Sequence, residues 1–429
     1  MRLKPSDEKK QALLDFLQGK GNGDSGANFL SELIVRSTEQ VLQELLEAEQ
    51  TEFLGRDNYQ RGGDQGIYRN GYETGTLKSS EGIMQVKLPQ VRGLNQPYQS
   101  SLWQTLGRTS EHLQALVTEL YSNGLSTRDI EYSLEQALGQ FMLSKSSVSV
   151  ITECLVEQYE AFKARDLGGF NVAYVFIDVV FEPLRRYGSR LGVMVCWGQC
   201  TDGSRVLLDL TLANNESYEA ALEFIHGMIC RGLQPPLSCT TDGAPGLTKA
   251  VSAAWPRSKR IRCWFHKMQN LQQKVPPQAW PDVKAMIEDM RDAPTIQQGE
   301  QRHQACLEQL QNDFPEAYRC LQDDSQASLN HLYFPKRHRL MIRTTNLVER
   351  CFVEERRRTK VIPHLWDEQS LTKLVFSVLI RVSDRWSKRQ FSEMEQQQLK
   401  QLRKDWFQQQ SQSENKANKT TRRSASRVA

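Results

Sequence analysis

Residues 171–181 read NVAYVFIDVVF, and together with LGVMVCWGQC at 191–200 and SRVLLDLTLA at 204–213 they decide the fold of the chain. The three runs are rich in β-branched and aromatic residues, and the turn-type sequences YGS and TDGS lie between them. This composition predicts three consecutive antiparallel strands. A helical pattern at 218–231, a short strand LSCTT, a helix near 247–254 and a last strand KRIRCW follow.

This order of elements resembles the ribonuclease-H-like α/β core, a mixed five-stranded sheet with flanking helices. In such a sheet the first and fourth strands are neighbours, so Asp178 near the end of the first strand and Asp242 at the end of the fourth are expected side by side. Adjacent carboxylates repel each other unless a cation lies between them, and hard oxygen ligands suit Mg²⁺ or Mn²⁺. Each aspartate alone is also compatible with a turn residue, Asp242 especially because Gly243 follows it.

A third acidic candidate, Glu349, lies in the basic segment IRTTNLVERCFVEERRRTK at 342–360. Its spacing from Asn346 is also that of an N-terminal capping pair, so Glu349 could simply start a helix. On that helix Arg356 and Lys360 fall on the same face as Glu349 and place positive charge beside the carboxylate. Rival candidates for the acidic role are Glu354, Glu355, Glu182 and Glu216.

The positive charge of the chain is concentrated in two places. Residues 336–360 hold nine Lys and Arg against three Glu, and the tail at 411–429 holds five against one, whereas the whole chain of 429 residues has a net charge of +4. Neutralising phosphates supplies much of the affinity for nucleic acids, so this clustering favours a polyanionic substrate. The simpler alternative is a solvated basic helix followed by a disordered tail.

Other compositional features limit the class of protein. No apolar run approaches the ~18 residues that span a membrane, and the first residues lack the order of a signal peptide. Nine cysteines in a chain of this size do not indicate a disulfide framework. We therefore expect a cytoplasmic protein with reduced thiols and no membrane partner.

The region before the strands is mostly helical. Residues 28–54 have the spacing of an amphipathic helix, either a core helix or an oligomer seam, and residues 61–97 favour a small basic β-hairpin. In the next helical pair, Ser126 and Asp129 have the spacing of a capping box, and a second helix is predicted to begin near Ser144.

The second helix of this pair would present Lys145 and Ser147, side chains suited to phosphates and base edges. A helix-turn-helix that binds DNA is one interpretation. An ordinary packed helical pair is the other, because two helices joined by a short turn are common.

Several motifs resemble one known family. RNGYETGTL, GLSTRDI, TTDGAPGL, RCWFHKMQN and, most specifically, IRTTNLVERCFVEERRRTK are similar to the bacterial mutator-type insertion-sequence transposases, relatives of the eukaryotic Mutator-like elements, over residues 28–400. Two positions depart from the family pattern. Val179 follows the first aspartate where a small residue is usual, and Phe352 stands where the family has Asn.

The resemblance implies that Asp178, Asp242 and Glu349 form a DDE triad that binds two Mg²⁺ or Mn²⁺ ions and catalyses DNA strand cleavage and transfer. It also implies that Cys263 and His266 are a supporting C-x-x-H signature. C-x-x-H is half of a zinc site, but no second close pair of Cys or His stands nearby, so a hydrogen-bonded polar pair that fixes the neighbouring domain is the better interpretation.

The expected partner is double-stranded DNA, namely the terminal inverted repeats of the element and its target, bound by a homodimer or larger assembly at the bacterial nucleoid. The expected DNA contacts are Arg343, Asn346, Arg350, Arg356, Arg357, Arg358, Lys360, Arg128, Lys145 and Ser147. Two alternatives stay open: a nuclease with the same core that does not join strands, and a DNA-binding protein descended from a transposase.

The domain prediction follows from these patterns. It comprises an N-terminal helical region at 1–60, a small basic β element at 61–100, a helix-turn-helix-like DNA-binding region at 101–170, the first part of the catalytic core at 171–264, an all-helical insertion at 265–340, the last part of the core at 341–400 and a basic tail at 401–429.

Overall fold

The structure is a computed structural model that describes residues 4–20, 29–57, 60, 66–138, 141–183, 190–213, 217–359 and 367–406. The chain divides into two compact units, Met1–Cys154 and Leu155–Ala429. Residues 407–429 of the predicted basic tail, the predicted DNA contact Lys360 and the rival acid Glu216 lie outside the described residues, whereas residues 401–406 of that tail are helical.

The first unit contains helices and one hairpin, as the sequence predicts. Its elements are α1 (Pro5–Leu17), α2 (Phe29–Leu54), β1 (Tyr68–Ser79), β2 (Gly82–Arg92), α3 (Ser101–Leu106), α4 (Glu111–Ser122), α5 (Thr127–Leu138) and α6 (Lys145–Thr152). β1 and β2 pair antiparallel, and α2 packs against β2. The Gln43 amide accepts from the Lys87 N–H at 2.7 Å and donates to the Lys87 carbonyl at 2.9 Å, so α2 satisfies the outer edge of β2.

Both predicted helix starts in the next part of this unit are confirmed. The Ser126 hydroxyl accepts from the Asp129 N–H at 3.2 Å, and the Asp129 carboxylate accepts from the Ser126 N–H at 3.1 Å, which is a complete capping box. Ser144 caps α6 by accepting from the Ser147 N–H at 3.2 Å. Because α5 and α6 are in contact, these caps define a pair of helices joined by a short connection.

The second unit is built on a five-stranded mixed sheet. Its elements up to the last strand are α7 (Cys154–Ala164), β3 (Val172–Pro183), β4 (Arg190–Cys200), β5 (Arg205–Ala213), α8 (Tyr218–Cys230), β6 (Ser238–Thr241), α9 (Pro245–Ala254) and β7 (Lys259–Arg262). The strand order is β5-β4-β3-β6-β7, in which β3, β4 and β5 are antiparallel and β6 and β7 run parallel to β3. The expected meander and the neighbouring first and fourth strands are confirmed.

Side chains of β3 alternate between two environments, as a pleated strand requires. Val175 and Ile177 lie in a buried cluster with residues of α8 and α9, including Phe224 and Trp255. The opposite face carries Tyr174, whose hydroxyl lies 2.8 Å from Nδ1 of His338. Asp178 belongs to this opposite face, away from the α8 and α9 cluster.

The segment after β7 is helical throughout its described elements, as the sequence indicates. These are α10 (Trp264–Gln272), α11 (Trp280–Arg291), α12 (Ile296–Asp313), α13 (Pro315–Gln322), α14 (Ser325–Leu329), a 3₁₀ turn (Asn330–Tyr333) and α15 (Lys336–Ile342). They have a hydrophobic cluster of their own, which includes Leu271, Ile287, Leu310 and Leu321. The chain continues with α16 (Asn346–Thr359), α17 (Glu368–Trp386) and a helical segment at 393–406.

Helices α16 and α17 return to the sheet. α16 contacts β3 and β4, α17 contacts β5, and the rings of Trp197 and Trp386 lie 5.2 Å apart. In the part of the chain that the structure describes, no helix is both long enough and apolar enough to cross a membrane.

Candidate active site

Asp178 and Asp242 occupy equivalent positions on neighbouring parallel strands. The ladder between β3 and β6 ends at the pair Phe176 and Thr240, and each aspartate lies two residues further along its chain. Asp178 lies within β3 and Asp242 directly follows the last residue of β6, and the negative charge of Asp242 acts on Asp178. One expectation was wrong: Asp178 is not near the end of its strand, because β3 continues to Pro183 against β4. Beside Asp178 it is the pairing of β3 with β6 that ends, because β6 is much shorter.

The Asp178 carboxylate is buried, with only 6% of the residue exposed. Burial and the nearby negative charge of Asp242 raise the pKa of Asp178 to about 7, although His266 and Thr345 act in the opposite direction. Its Oδ1 accepts a hydrogen bond from the Val179 N–H at 3.0 Å. A buried carboxylate beside a second carboxylate favours either a proton or a metal cation.

Asp242 is half-buried and forms the turn that its sequence suggested. Its Oδ1 accepts from the Ala244 N–H at 2.9 Å, and Gly243 has a φ of +88°. A Cβ at Gly243 would overlap the guanidinium of Arg262, so both the backbone conformation and the space require glycine. The turn and the functional interpretations of Asp242 are therefore compatible.

Cys263 joins the end of the sheet to the segment that precedes α16. Its N–H donates to the Thr241 carbonyl at 2.8 Å, and the Trp264 N–H donates to the Arg343 carbonyl at 2.8 Å. The Cys263 sulfur accepts from both the N–H and the hydroxyl of Thr345, each at 3.3 Å. Residues that are far apart in sequence are thereby held beside Asp242.

Glu349 lies in the first turn of α16, and Asn346 is the first residue of that helix. Its Oε1 is 3.9 Å from Nε2 of His266, and burial raises the pKa of Glu349 while His266 lowers it. The neighbouring Cys263 raises the pKa of His266 to about 9, with further contributions from Asp178 and Asp242. The protonated form of His266 is therefore favoured, and Glu349 is the acidic residue whose carboxylate approaches it.

The rival acids differ from Glu349 in their surroundings. Glu354 forms an ion pair with Arg357 at 2.9 Å, one turn along the helix. Glu355 is fully buried. In the described part of the chain, neither Glu354 nor Glu355 forms an ion pair with His266, which pairs with Glu349. The side chain of Glu182 lies outside the described residues.

One group of metal-ligand atoms is closely spaced in the described part of the chain. Atoms of Cys263, His266 and Glu349 all lie within 4.8 Å of one another, whereas the carboxylates of Asp178 and Asp242 are not part of that group. The group has three protein ligands, one fewer than a structural zinc site requires. The Cys263 sulfur accepts two hydrogen bonds from Thr345, and the supporting role of Cys263 and His266 stays a prediction.

The predicted DNA contacts lie in different surroundings. Asn346, Arg350, Arg356 and Arg357 are exposed on α16, and Arg358 is half-buried. Arg343 forms an ion pair with Asp292, so part of its charge is neutralised within the protein. In the first unit, Arg128 and Lys145 are exposed and the Ser147 hydroxyl lies 3.0 Å from that of Ser144.

Thr345 and Phe265 are site residues that the sequence analysis missed. Thr345 contacts Cys263, and Phe265 precedes His266 with the two ring centroids 5.5 Å apart. A weak signal for Thr345 was its place directly before the helix, where Thr is a favoured capping residue. Nothing in the sequence distinguished Phe265 from a core aromatic residue.

Comparison with known proteins identifies the family of the chain. The family model described as "Transposase, Mutator family" matches residues 9–389. The chain is 30% identical to the transposase for insertion sequence element IS6120 of Mycolicibacterium smegmatis over 268 residues, which cover 62% of this chain and 83% of the relative. It is 27% identical to the ISRM5 transposase of Rhizobium meliloti over 81% of this chain and 86% of the relative. The transposase for IS256 in transposon Tn4001 of Staphylococcus aureus is 25% identical over 81% of this chain and 89% of the relative.

Proposed function

This chain belongs to the Mutator family of transposases, and we propose that it cleaves and joins DNA strands at the ends of its own insertion sequence with Asp178, Asp242 and Glu349. The observation that carries the proposal is the equivalent register of the two aspartates, with His266 interacting with both and with Glu349. Glu349 lies 3.9 Å from His266, and the charges of Asp178 and Asp242 act on the same side chain.

The residues suit a pair of Mg²⁺ or Mn²⁺ ions. All three offer hard carboxylate oxygens, Asp178 is buried beside a like charge, and Glu349 Oε1 is buried without a hydrogen-bond partner among the described residues. Asp178, Asp242 and Glu349 would hold the ions. When bound, such ions lower the pKa of an attacking water or hydroxyl and stabilise the negative charge of the departing oxygen.

The protein side chains contribute position and charge, and no covalent enzyme intermediate is needed. In the cleavage step, a water oxygen bonds to phosphorus and the bond from phosphorus to the 3′ oxygen breaks. In the joining step, the released 3′-hydroxyl attacks a phosphorus of the target strand and the target's own 3′ oxygen leaves. His266 holds Glu349 in place, and exposed arginines of α16 such as Arg350 bind the DNA backbone.

The strand order β5-β4-β3-β6-β7 supports a ribonuclease-H-like core for this chemistry. The helical segment 265–340, with its separate hydrophobic cluster, supports an insertion between Asp242 and Glu349. Asp178 comes from within β3, Asp242 directly follows β6, and Glu349 lies in the first turn of the later helix α16, an arrangement that supports such a core.

We assign recognition of the terminal inverted repeats to the first unit. The capped pair α5 and α6 carries Arg128 and Lys145 on its surface, and two packed helices with exposed cations suit a helix-turn-helix. Because two ends must be joined, the active species is a homodimer or larger assembly on DNA at the bacterial nucleoid.

The direct test is to place the gene with its native flanking DNA in a host and to amplify excised or circular junctions by PCR. We expect junctions from the wild type and from Glu354→Ala, and none from Asp242→Ala or Glu349→Ala. Junctions that persist in either of the last two would show that the wrong carboxylate was chosen. Cleaved ends without junctions would favour a nuclease, and repeat binding without cleavage would favour a DNA-binding descendant.

A further inference from the structure

A cavity of about 800 Å³ lies next to the proposed active site, within the second unit. Asn346, Leu347 and Arg350 of α16 line it, and they are the residues immediately around Glu349 on that helix. Phe265, which precedes His266, lines it as well. The volume is in the range of cavities that hold ligands, about 300 to 1,000 Å³. The cavity therefore offers space for a small substrate group beside the helix that carries Glu349.

The lining is strongly basic, since it includes six Arg and Lys residues and one acidic residue, Glu288. Arg291 and Arg343 are paired with Asp292, and Arg291 also with Glu288. The other four cations are Arg205, Lys284, Arg337 and Arg350. Arg337 interacts electrostatically with Glu395, whereas Arg205, Lys284 and Arg350 form no ion pair within the part of the chain that the structure describes. An excess of positive charge with so few internal counter-ions favours an anionic occupant.

Arg205 and Arg350 repel each other across this lining. Burial, together with the positive charges of Arg389 and Arg350, lowers the pKa of Arg205 to about 10. Arg205 is held in this position by a hydrogen bond to Gln199 at 2.9 Å. A phosphate group between Arg205 and Arg350 would relieve the repulsion.

The cavity also has aromatic and apolar surface. Phe265 is 43% exposed although it is a large apolar residue, and Leu340 of α15 is 68% exposed. Trp280 of α11 lines the same cavity. Proteins that bind single-stranded nucleic acid combine a positive groove for the backbone with aromatic rings against which bases stack. Both components are present here.

We propose that this cavity binds an unstacked nucleotide of the DNA strand next to the cleaved phosphate, with its base against Phe265 and its phosphate near Arg350. The inference rests on the proposed function and deepens it, because it assigns a subsite for one displaced base beside the acidic residues. Moving that base out of the stack would also give the acidic residues access to the neighbouring phosphate.

The test uses the full-length chain and duplexes made from each end of the element, already cleaved so that no catalysis is required. A single 2-aminopurine replaces each nucleotide in turn on either side of the cleaved phosphate, and its fluorescence reports loss of stacking. We expect the signal to rise at one position with the wild type. Phe265→Ala should remove the rise and weaken binding by roughly fivefold or more, and Phe265→Tyr should restore both.

Tyr333→Ala is the matched control, because Tyr333 is 41% exposed in the same unit and does not line the cavity. It should leave the signal unchanged. An abasic residue at the responsive position should weaken binding by the wild type but not by Phe265→Ala, since both changes remove the same contact.

The two proposals fail in different ways. If the chain binds and cleaves the ends but Phe265→Ala changes neither fluorescence nor affinity, the nucleotide subsite is wrong and the transposase proposal stands. If the chain binds neither end, the proposed function fails and the subsite fails with it.

Discussion

Thr345 donates two hydrogen bonds to the sulfur of Cys263, one from its backbone N–H and one from its hydroxyl, both at 3.3 Å. Cys263 follows the last strand of the sheet, and Thr345 precedes the helix that carries Glu349. Through this contact the sheet that carries Asp178 and Asp242 positions the third acidic residue, although 82 residues separate the two partners.

Replacing Thr345 by Val should lower the rate of strand cleavage by about 10- to 100-fold, the range seen when groups that orient metal ligands are lost. Val retains the backbone N–H but removes the hydroxyl, so one of the two hydrogen bonds to Cys263 is lost. Thr345→Ser retains the hydroxyl and should stay close to wild type. The rate of cleavage of end duplexes measures both variants, and thermal melting shows whether they fold. Equal cleavage rates for Thr345→Val and Thr345→Ser would show that the hydroxyl does not position Glu349.

Asp178→Asn should stabilise the metal-free protein at pH 8. The pKa of the Asp178 carboxyl is about 7 in the folded protein, against an ordinary value of 3.8. Between pH 3.8 and about 7 the folded state therefore keeps a proton that the unfolded state has lost. The contribution of this carboxyl to stability is therefore fully present below about pH 4 and is lost as the pH rises through about 7. Asn removes this loss, which is on the order of a few kcal/mol at most.

Melting in EDTA at pH 4 to 8 measures the effect of Asp178→Asn. Asp209→Asn is the matched control, because Asp209 is also buried but pairs with Lys163 at 2.6 Å and Arg231 at 2.5 Å. This second change should destabilise the protein at pH 8, since two cations lose their partner. Added Mg²⁺ should raise the melting temperature of the wild type and not of Asp178→Asn. A lower melting temperature for Asp178→Asn in EDTA would contradict the burial of an unfavourable charge.

Gly243→Ala should destabilise the protein and move Asp242. A non-glycine residue at a φ of +88° costs roughly 1 to 2 kcal/mol, and the added methyl would displace the Arg262 guanidinium. Gly227→Ala in α8 is the control, because a Cβ there meets nothing within 4 Å and Ala favours a helix by about 0.5 to 1 kcal/mol. Thermal melting should shift down for Gly243→Ala and up for Gly227→Ala. Equal shifts would mean that the turn after Asp242 is not constrained as described.

Arg350→Ala should reduce the salt dependence of DNA binding. Each phosphate contact contributes about 0.9 to the slope of log K against log salt concentration, so losing one should lower the slope by about that amount. Arg302→Ala is the control, since Arg302 lies on α12 and pairs with Asp289 at 2.9 Å. Binding isotherms of an end duplex at several salt concentrations measure both variants. An unchanged slope for Arg350→Ala would remove this residue from the DNA contacts.

Much of the sheet could be predicted because its signals are local. Runs of β-branched residues bounded by turn residues predicted all five strands, and the period of two along a strand set the face of each side chain. The pairing of Asp178 with Asp242 followed from the expected adjacency of β3 and β6. The position of Asp178 within β3 was wrong, because the lengths of two paired strands need not match and only β6 stops there.

The surroundings of the site were not predictable in the same way. Glu349, Glu354 and Glu355 are close together in one helix, yet only Glu349 lies near His266 while Glu355 is buried. The ion pair between Arg343 and Asp292 joins two helices that no local pattern relates. Such differences depend on which face of each helix meets the sheet.

By itself the sequence determined the strands, the capped helices, the family and the three acidic residues, because periodicity, turn residues and motifs are properties of neighbouring positions. The tertiary structure decided which groups surround those acids: the Thr345 contact to Cys263, the burial that raises the pKa of Asp178 and the basic cavity beside Phe265. These depend on distances between residues far apart in the chain, and packing of the folded backbone alone sets those distances.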